Sequence, residues 1–266
     1  MRARPRPRPR ALLAATLAAV LLSGCAQSVD PIERLGKKAA QKVQRPDRAY
    51  RRWGLSAPLA PAPRPARPAG GPGRTGDGLP PVLDRVPTQD KVVFLAYDED
   101  IEGDPRFVDM VRELRLPVSV FLTADGAGPK GADAARLRAA GAGVQNHALG
   151  HFVLRGRSYG EQRAEICGQR DRLTARPGPG PRLLRPPHGV YDRTTLRAAA
   201  DCGVSAVILW RPVPPPYGAG TALHPGDIVR PRGTGRRLAS PTAETARLLR
   251  RIQASGFTVA RLEDYL

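Results

Sequence analysis

Cysteine, histidine and aromatic residues are all scarce in this chain, and each shortage narrows what it can do. Three cysteines in 266 residues leave no room for a zinc ribbon, and with 4 histidines in all, any two at ligand spacing carry weight. Aromatic residues make up 5% of the chain and do not interleave with the basic ones, so no nucleic-acid partner is expected. Acidic residues are few as well, 24 against 43 basic, and the excess is lopsided. Residues 1–85 hold 17 Lys and Arg against 5 Asp and Glu, a net +12 of the total +19, which leaves +7 for the rest. No apolar run reaches the roughly 20 residues that a membrane span needs. There is no P-loop, no GxGxxG and no internal repeat, which argues against Rossmann-type cofactor binding.

What is present begins with an export signal. Arg2, Arg4, Arg6, Arg8 and Arg10 form a positive head, Ala11 to Leu22 an apolar run of signal-peptide length, and Leu22-Ser23-Gly24-Cys25 follows at once. That tetrapeptide resembles the bacterial lipobox, in which the cysteine becomes the lipidated first residue. The expectation is a signal peptide at 1–24 and a chain exported and lipid-anchored through Cys25 at the outer face of the bacterial cell membrane. Each buried acyl methylene would contribute about 0.8 kcal/mol to that anchor. A short basic helix is expected at 31–44, and Ala57 to Pro81 is rich in Pro, Gly and Ala with few large apolar groups. Such a composition cannot offset the entropy of ordering, so residues 25–85 read as a disordered, Pro-rich tether. Its basic residues would face anionic lipid or wall polymer. Residues 86–266 remain as the folded domain.

From Lys91 the pattern changes to short apolar runs that alternate with helical stretches. Val92 to Tyr97, Val118 to Leu122, Gly143 into His147, Leu183-Leu184, Val204 to Trp210, Asp227 to Val229 and Phe257 to Leu262 read as strands. Helices are expected after Asp104-Pro105, around 134–140, 161–173 and 192–201, and after Ser240-Pro241. Strands separated by helices throughout predict parallel βαβ units and an α/β barrel. With the chain outside the cytoplasm, Cys167 and Cys202 favour a disulfide between neighbouring helices, two buried thiols being the alternative.

The polar residues that end these runs carry the chemistry, because parallel barrels build active sites at the C-terminal ends of their strands. Asp98 and Glu99 are adjacent carboxylates that point different ways, so one can hold a metal while the other acts as a base. His147 and His151 are four apart, a spacing used for zinc. With a carboxylate they make an open three-ligand site. Arg185 precedes a stiff Pro-Pro turn and offers a permanent cation that can clamp a carboxylate. Trp210 offers a flat wall apt for a sugar ring.

In this order the segments resemble the polysaccharide deacetylase family with the NodB homology domain (carbohydrate esterase family 4), over Val86 to Leu266. The family's Thr-Phe-Asp-Asp-Gly falls on Ala96-Tyr97-Asp98-Glu99-Asp100, and its His-Ser/Thr-x-x-His on His147-Ala148-Leu149-Gly150-His151. Its Arg-x-Pro-Tyr-like motif falls on Arg185 to Gly189, its fourth motif on Trp210, and its Leu-x-His on Arg230-Pro231-Arg232. The resemblance implies an irregular (β/α) barrel and metal-assisted removal of acetyl groups from polysaccharide, a hydrolysis of carbon–nitrogen bonds other than peptide bonds. It implies a divalent ion, zinc by preference, on Glu99, His147 and His151; Asp98 as base held by Arg185; and the backbone of His188 as an oxyanion donor. An acetylated envelope polysaccharide, peptidoglycan-like in the first place, is the implied substrate, and a monomer is expected.

Three positions depart from the family. Glu99 is a methylene longer than aspartate, so the metal would shift by around 1 Å or the backbone yield. Asp100 replaces a glycine and forfeits its conformational freedom. Arg232 replaces the histidine that protonates the leaving amine; a guanidinium stays protonated and cannot be that acid, though it can stabilise an oxyanion. Three readings follow. In the first, the protein is an active deacetylase with His188 or His224 as the acid. In the second, it is a degenerate module that holds glycan without cleaving it. In the third, it is a weak esterase on O-acetyl groups.

Overall fold

The structure, a computed structural model, describes residues 49–65, 73–101, 104–125, 132–210, 222–231 and 240–266. In chain order the elements are α1 (Ala49–Arg52), β1 (Val82–Leu83), β2 (Val92–Tyr97), a 3₁₀ turn (Glu99–Ile101), α2 (Pro105–Leu114), β3 (Val118–Leu122), α3 (Ala132–Ala139), β4 (Gly143–Asn146), α4 (Tyr159–Thr174), β5 (Leu183–Leu184), a second 3₁₀ turn (Pro187–Gly189), α5 (Arg193–Asp201), β6 (Ala206–Ile208), β7 (Ile228–Val229), α6 (Pro241–Ala254), β8 (Thr258–Ala260) and α7 (Leu262–Tyr265). Every residue of β2 and β3 is buried, as unbroken apolar runs in a parallel sheet require.

All strand pairs are parallel, in the order β1-β6-β5-β4-β3-β2-β7, and β8 also pairs with β2. β8 takes Val92 to Phe94 and β7 takes Phe94 and Leu95, on opposite edges: Val92 O accepts from Gly226 N–H ahead of β7, whereas Lys91 O accepts from Thr258 N–H of β8, so β8 shares with β3 one edge of β2. Past Leu83 the chain turns back and runs antiparallel to the residues ahead of β7. Val86 N–H donates to Gly226 O at 2.8 Å, and the Arg85 and Asp227 side chains form an ion pair at 2.9 Å. This contact fills the gap between β1 and β7, and the sheet becomes an irregular (β/α) barrel. Gly226 suits the closure, since its φ is +84° and a Cβ would lie 1.9 Å from Val86 O.

The helices start where their caps dictate. The Asp104 carboxylate accepts from Arg106 N–H and from Thr242 N–H, so one side chain caps α2 and ties it to α6. Capping boxes open α4 at Ser158–Glu161 and α5 at Asp192–Thr195. α4 and α5 pack as neighbours, and a disulfide joins Cys167 on α4 to Cys202 just past α5.

The tether expected to run to residue 85 is shorter than that. β1 belongs to the sheet, which moves the start of the folded domain ahead of residue 86. Upstream of it, Trp53 is 4% exposed and donates its indole N–H to Glu113 of α2, and Leu55 joins the same core cluster. Gln253 binds the carbonyl of Ala57, and the Tyr265 hydroxyl that of Pro63. A Pro-rich stretch with few apolar groups is thus held by a tryptophan, a leucine and scattered carbonyl contacts. The signal peptide at 1–24, Cys25 and the parts of the tether at 25–48 and 66–72 lie outside the described residues.

Candidate metal centre

The C-terminal ends of β2 and β4 bring three ligands together. Asp98 and Glu99 follow directly on β2, and His147 directly follows β4. The Glu99 carboxylate puts one oxygen 3.7 Å from His147 Nε2 and the other 3.7 Å from His151 Nε2. All three ligand atoms lie within 4.8 Å of one another. The longer side chain therefore does not carry the carboxylate past the histidines. Asp100 lies within the 3₁₀ turn Glu99–Ile101, a right-handed conformation open to any residue, so glycine is not needed there.

The two histidines are presented by a tight turn. Ala148 is buried with φ at 65°, and its N–H is taken by Asn146 Oδ1 at 2.8 Å, while Asn146 Nδ2 donates to Ile166 O on α4. One buried amide thus fixes a left-handed residue between a strand and a metal ligand. His147 Nδ1 lies 2.7 Å from Arg185 O; a carbonyl can only accept, so Nδ1 carries the proton and Nε2 keeps its lone pair. Burial, only partly opposed by nearby Asp98, pushes the His147 pKa down to about 4, so the ring is neutral at pH 7. Its Nε2 is buried without a hydrogen-bond partner among the described residues. The His151 pKa is also lowered, by partial burial and by nearby His188.

These residues fit a cation. Two neutral imidazole nitrogens and a carboxylate oxygen are the donor set of an open zinc site, where bonds of about 2.0–2.2 Å put ligands roughly 3.4 Å apart. A buried imidazole nitrogen facing a carboxylate across 3.7 Å is close to that spacing. The backbone carbonyl that holds His147 supplies the outer contact such ligands use.

Asp98 is buried beside this cluster with a guanidinium on each oxygen: Arg185 Nη1 is 2.8 Å from Oδ1 and Arg230 Nη2 2.9 Å from Oδ2. Burial alone would raise its pKa; Arg185, His147 and Arg230 more than offset that and hold the carboxyl below its ordinary range. Arg185 is fully buried, with its guanidinium 4.3 Å from the Phe121 ring centroid.

The remaining candidates separate. His188 reaches the site: its ring centroid is 4.5 Å from that of His151, and it lies exposed at the mouth in a left-handed turn, φ 59°. His224 does not. It opens the turn ahead of β7, at the strand end opposite the site, with Asp227 capping its N–H and its ring 56% exposed. The reason is the connection: His224 precedes β7, whereas the site is built from residues that follow strands. Trp210 is half-buried, with the guanidiniums of Arg185 and Arg230 each 5.3 Å from its ring centroid. The wall expected to meet a sugar is engaged by the protein's own cations. Gly189 packs beneath it, where a Cβ would come within 3.2 Å of the indole, and its φ is +70°. Arg232 lies outside the described residues. The residue that the motif pattern left without a role is Arg230; its signal was an arginine directly after the apolar pair Ile228–Val229.

The fold and site together define a parallel α/β barrel with a carboxylate and two histidines, a candidate metal-ligand set, at its strand ends. A family model described as polysaccharide deacetylase matches residues 85–207. An uncharacterised protein of Streptomyces coelicolor is 52% identical over 197 residues, which cover 72% of this chain and 79% of that protein. Among solved structures, a mutant with restored activity of a Bacillus anthracis pseudoenzyme of carbohydrate esterase family 4 superposes with a TM-score of 0.59, at 21% identity over 70% of this chain and 72% of its own. The peptidoglycan deacetylase PdaC of Bacillus subtilis gives 0.52 at 16% identity over 68% of this chain and 90% of its own. The chain belongs to the polysaccharide deacetylase family.

Proposed function

We propose that this protein is a metal-dependent hydrolase that removes acetyl groups from an envelope or extracellular polysaccharide, a peptidoglycan-like amino sugar first. The observation that carries the reading is the convergence of Glu99, His147 and His151, with the His147 tautomer set for ligation. Those three residues would hold a divalent cation, zinc by donor set, which when bound polarises an acyl oxygen and acidifies water. Asp98 stands one residue from Glu99 and is oriented by Arg185, which suits it to accept the proton of that water. His188, at the rim beside His151, is the group placed to protonate a leaving amine. Phe152 is 56% exposed directly after His151 and offers an apolar face for a pyranose ring.

One observation favours a second reading. Asp98 already carries two guanidiniums, and a base so engaged suits a protein that holds glycan without turning it over. Zinc titration by calorimetry and acetate release from N-acetylglucosamine oligomers and peptidoglycan, with wild type and Asp98→Asn, separate the two. One zinc per chain and acetate release lost in the variant support the hydrolase. Glycan binding without turnover moves the assignment to the second reading, and no zinc binding removes the first.

We further propose that the chain is exported and anchored by lipid at Cys25, with the sequence from Leu22 to Cys25 in support. Cys25→Ser is expected to move the protein from the membrane fraction to the medium. Retention on the membrane would overturn the anchor.

A further inference from the structure

We infer that Arg230 is a positioning residue that restrains this site: with Arg185 it puts a guanidinium on each oxygen of Asp98, so that a water to be activated must share either oxygen with a cation that holds the carboxylate in place. The inference rests on the hydrolase reading given above and adds a residue to it.

The placement follows from the sheet. β7 is two residues long and its Val229 pairs with Leu95 of β2, so Arg230 comes level with Ala96 and reaches up to the carboxylate two residues on. Arg185 arrives from the other side, at the end of β5. The two guanidiniums take one oxygen each, at 2.8 and 2.9 Å. Trp210 lies 5.3 Å from both cations, and the Arg230 side chain is 9% exposed, so little room exists for it to swing into solvent.

One arginine is enough to orient a carboxylate. A second, on the remaining oxygen, takes one of its two acceptor sites and leaves a water beside Glu99 to share that oxygen with a cation. A charge-assisted contact at 2.9 Å is not readily traded for a hydrogen bond to neutral water. Its ion pair with Asp98 is the contact through which Arg230 restrains the base.

The test is Arg230→Leu in the full chain, loaded with zinc, with acetate release from N-acetylglucosamine oligomers as the readout. Removing the clamp is expected to raise kcat roughly tenfold or more, within the range that general-base chemistry spans, with KM unchanged within about twofold. Arg230→Lys, which keeps a cation at the site, is expected to stay near the wild-type kcat. Zinc affinity, read independently by competition with a chromophoric chelator, is expected to be equal or tighter in Arg230→Leu. A kcat that is unchanged or lower in Arg230→Leu, with zinc binding intact, overturns the inference and leaves the hydrolase reading standing. A fall in both kcat and zinc affinity also overturns it, by showing that Arg230 supports the site. Failure of wild type and both variants to bind zinc would instead strike the hydrolase reading, and the inference with it.

Discussion

At the scale of single residues, the site is a balance of buried charge. Asp98 is the counter-ion of both Arg185, fully buried, and Arg230, nearly so. Asp98→Asn therefore removes the charge of a buried carboxylate that two cations share, and the cost is expected to be roughly 3 kcal/mol or more. Urea denaturation of the metal-free variant against wild type checks this, and an unchanged midpoint would show that the arginines do not depend on Asp98. His147 makes a second prediction. Its pKa falls from 6.5 in the unfolded chain to about 4 in the folded one, so between those values the unfolded state binds the extra proton. Stability of the metal-free protein is thus expected to fall as pH drops from 6.5 towards 4, by roughly 3 kcal/mol across the window. His147→Asn, which keeps a donor for Arg185 O, should flatten that part of the melting-temperature profile.

At the scale of elements, the barrel depends on joints between short pieces. α4 and α5 are linked by the Cys167–Cys202 disulfide, which closes a loop with a sequence separation of 35. In the chain-entropy picture such a loop stabilises by about 3.5–4 kcal/mol, because it restricts the unfolded chain. Calorimetry of the Cys167→Ser/Cys202→Ser double variant should show a loss of that order. Since His147 is held through Asn146, which anchors to Ile166 on α4, zinc affinity should also weaken in that variant. Loss of stability with zinc affinity intact would mean that α4 holds Asn146 without the disulfide. β8 and β3 show the other kind of joint: they take successive halves of one edge of β2, Val92 to Phe94 and Leu95 to Tyr97, while β7 on the opposite edge leads into the site through Arg230.

At the scale of the whole molecule, the folded unit reaches further upstream than its motifs. Trp53 and Leu55 are core residues, and β1 pairs with β6. A chain that begins at residue 86 lacks all of these and loses the Val82–Leu83 strand as well. It is expected to express poorly or to aggregate, whereas a chain that begins at residue 46 should fold. Trp53→Ala in the latter should cost about 3–5 kcal/mol, as large aromatic-to-alanine changes in cores do. A cooperative melt of the residue-86 chain at the same temperature as the longer one would sink this view.

The sequence by itself determined a great deal: the alternation of apolar runs and helices specified parallel βαβ units, and strand-end placement picked out Asp98, Glu99, His147, His151 and Arg185, because both signals are local in the chain. The starts of α2 at Asp104-Pro105 and of α6 at Ser240-Pro241 were legible for the same reason. What only the tertiary structure decided is which strand ends meet. Arg230 reaches Asp98 because β7 registers against β2 across more than a hundred residues of chain, and no local pattern encodes a register. His224 is close in sequence to β7 yet falls at its far end, since spacing says nothing of direction until the strand is placed. Likewise the Pro-rich stretch looked too poor in apolar groups to order, but a few side chains found a surface already built by the rest of the barrel.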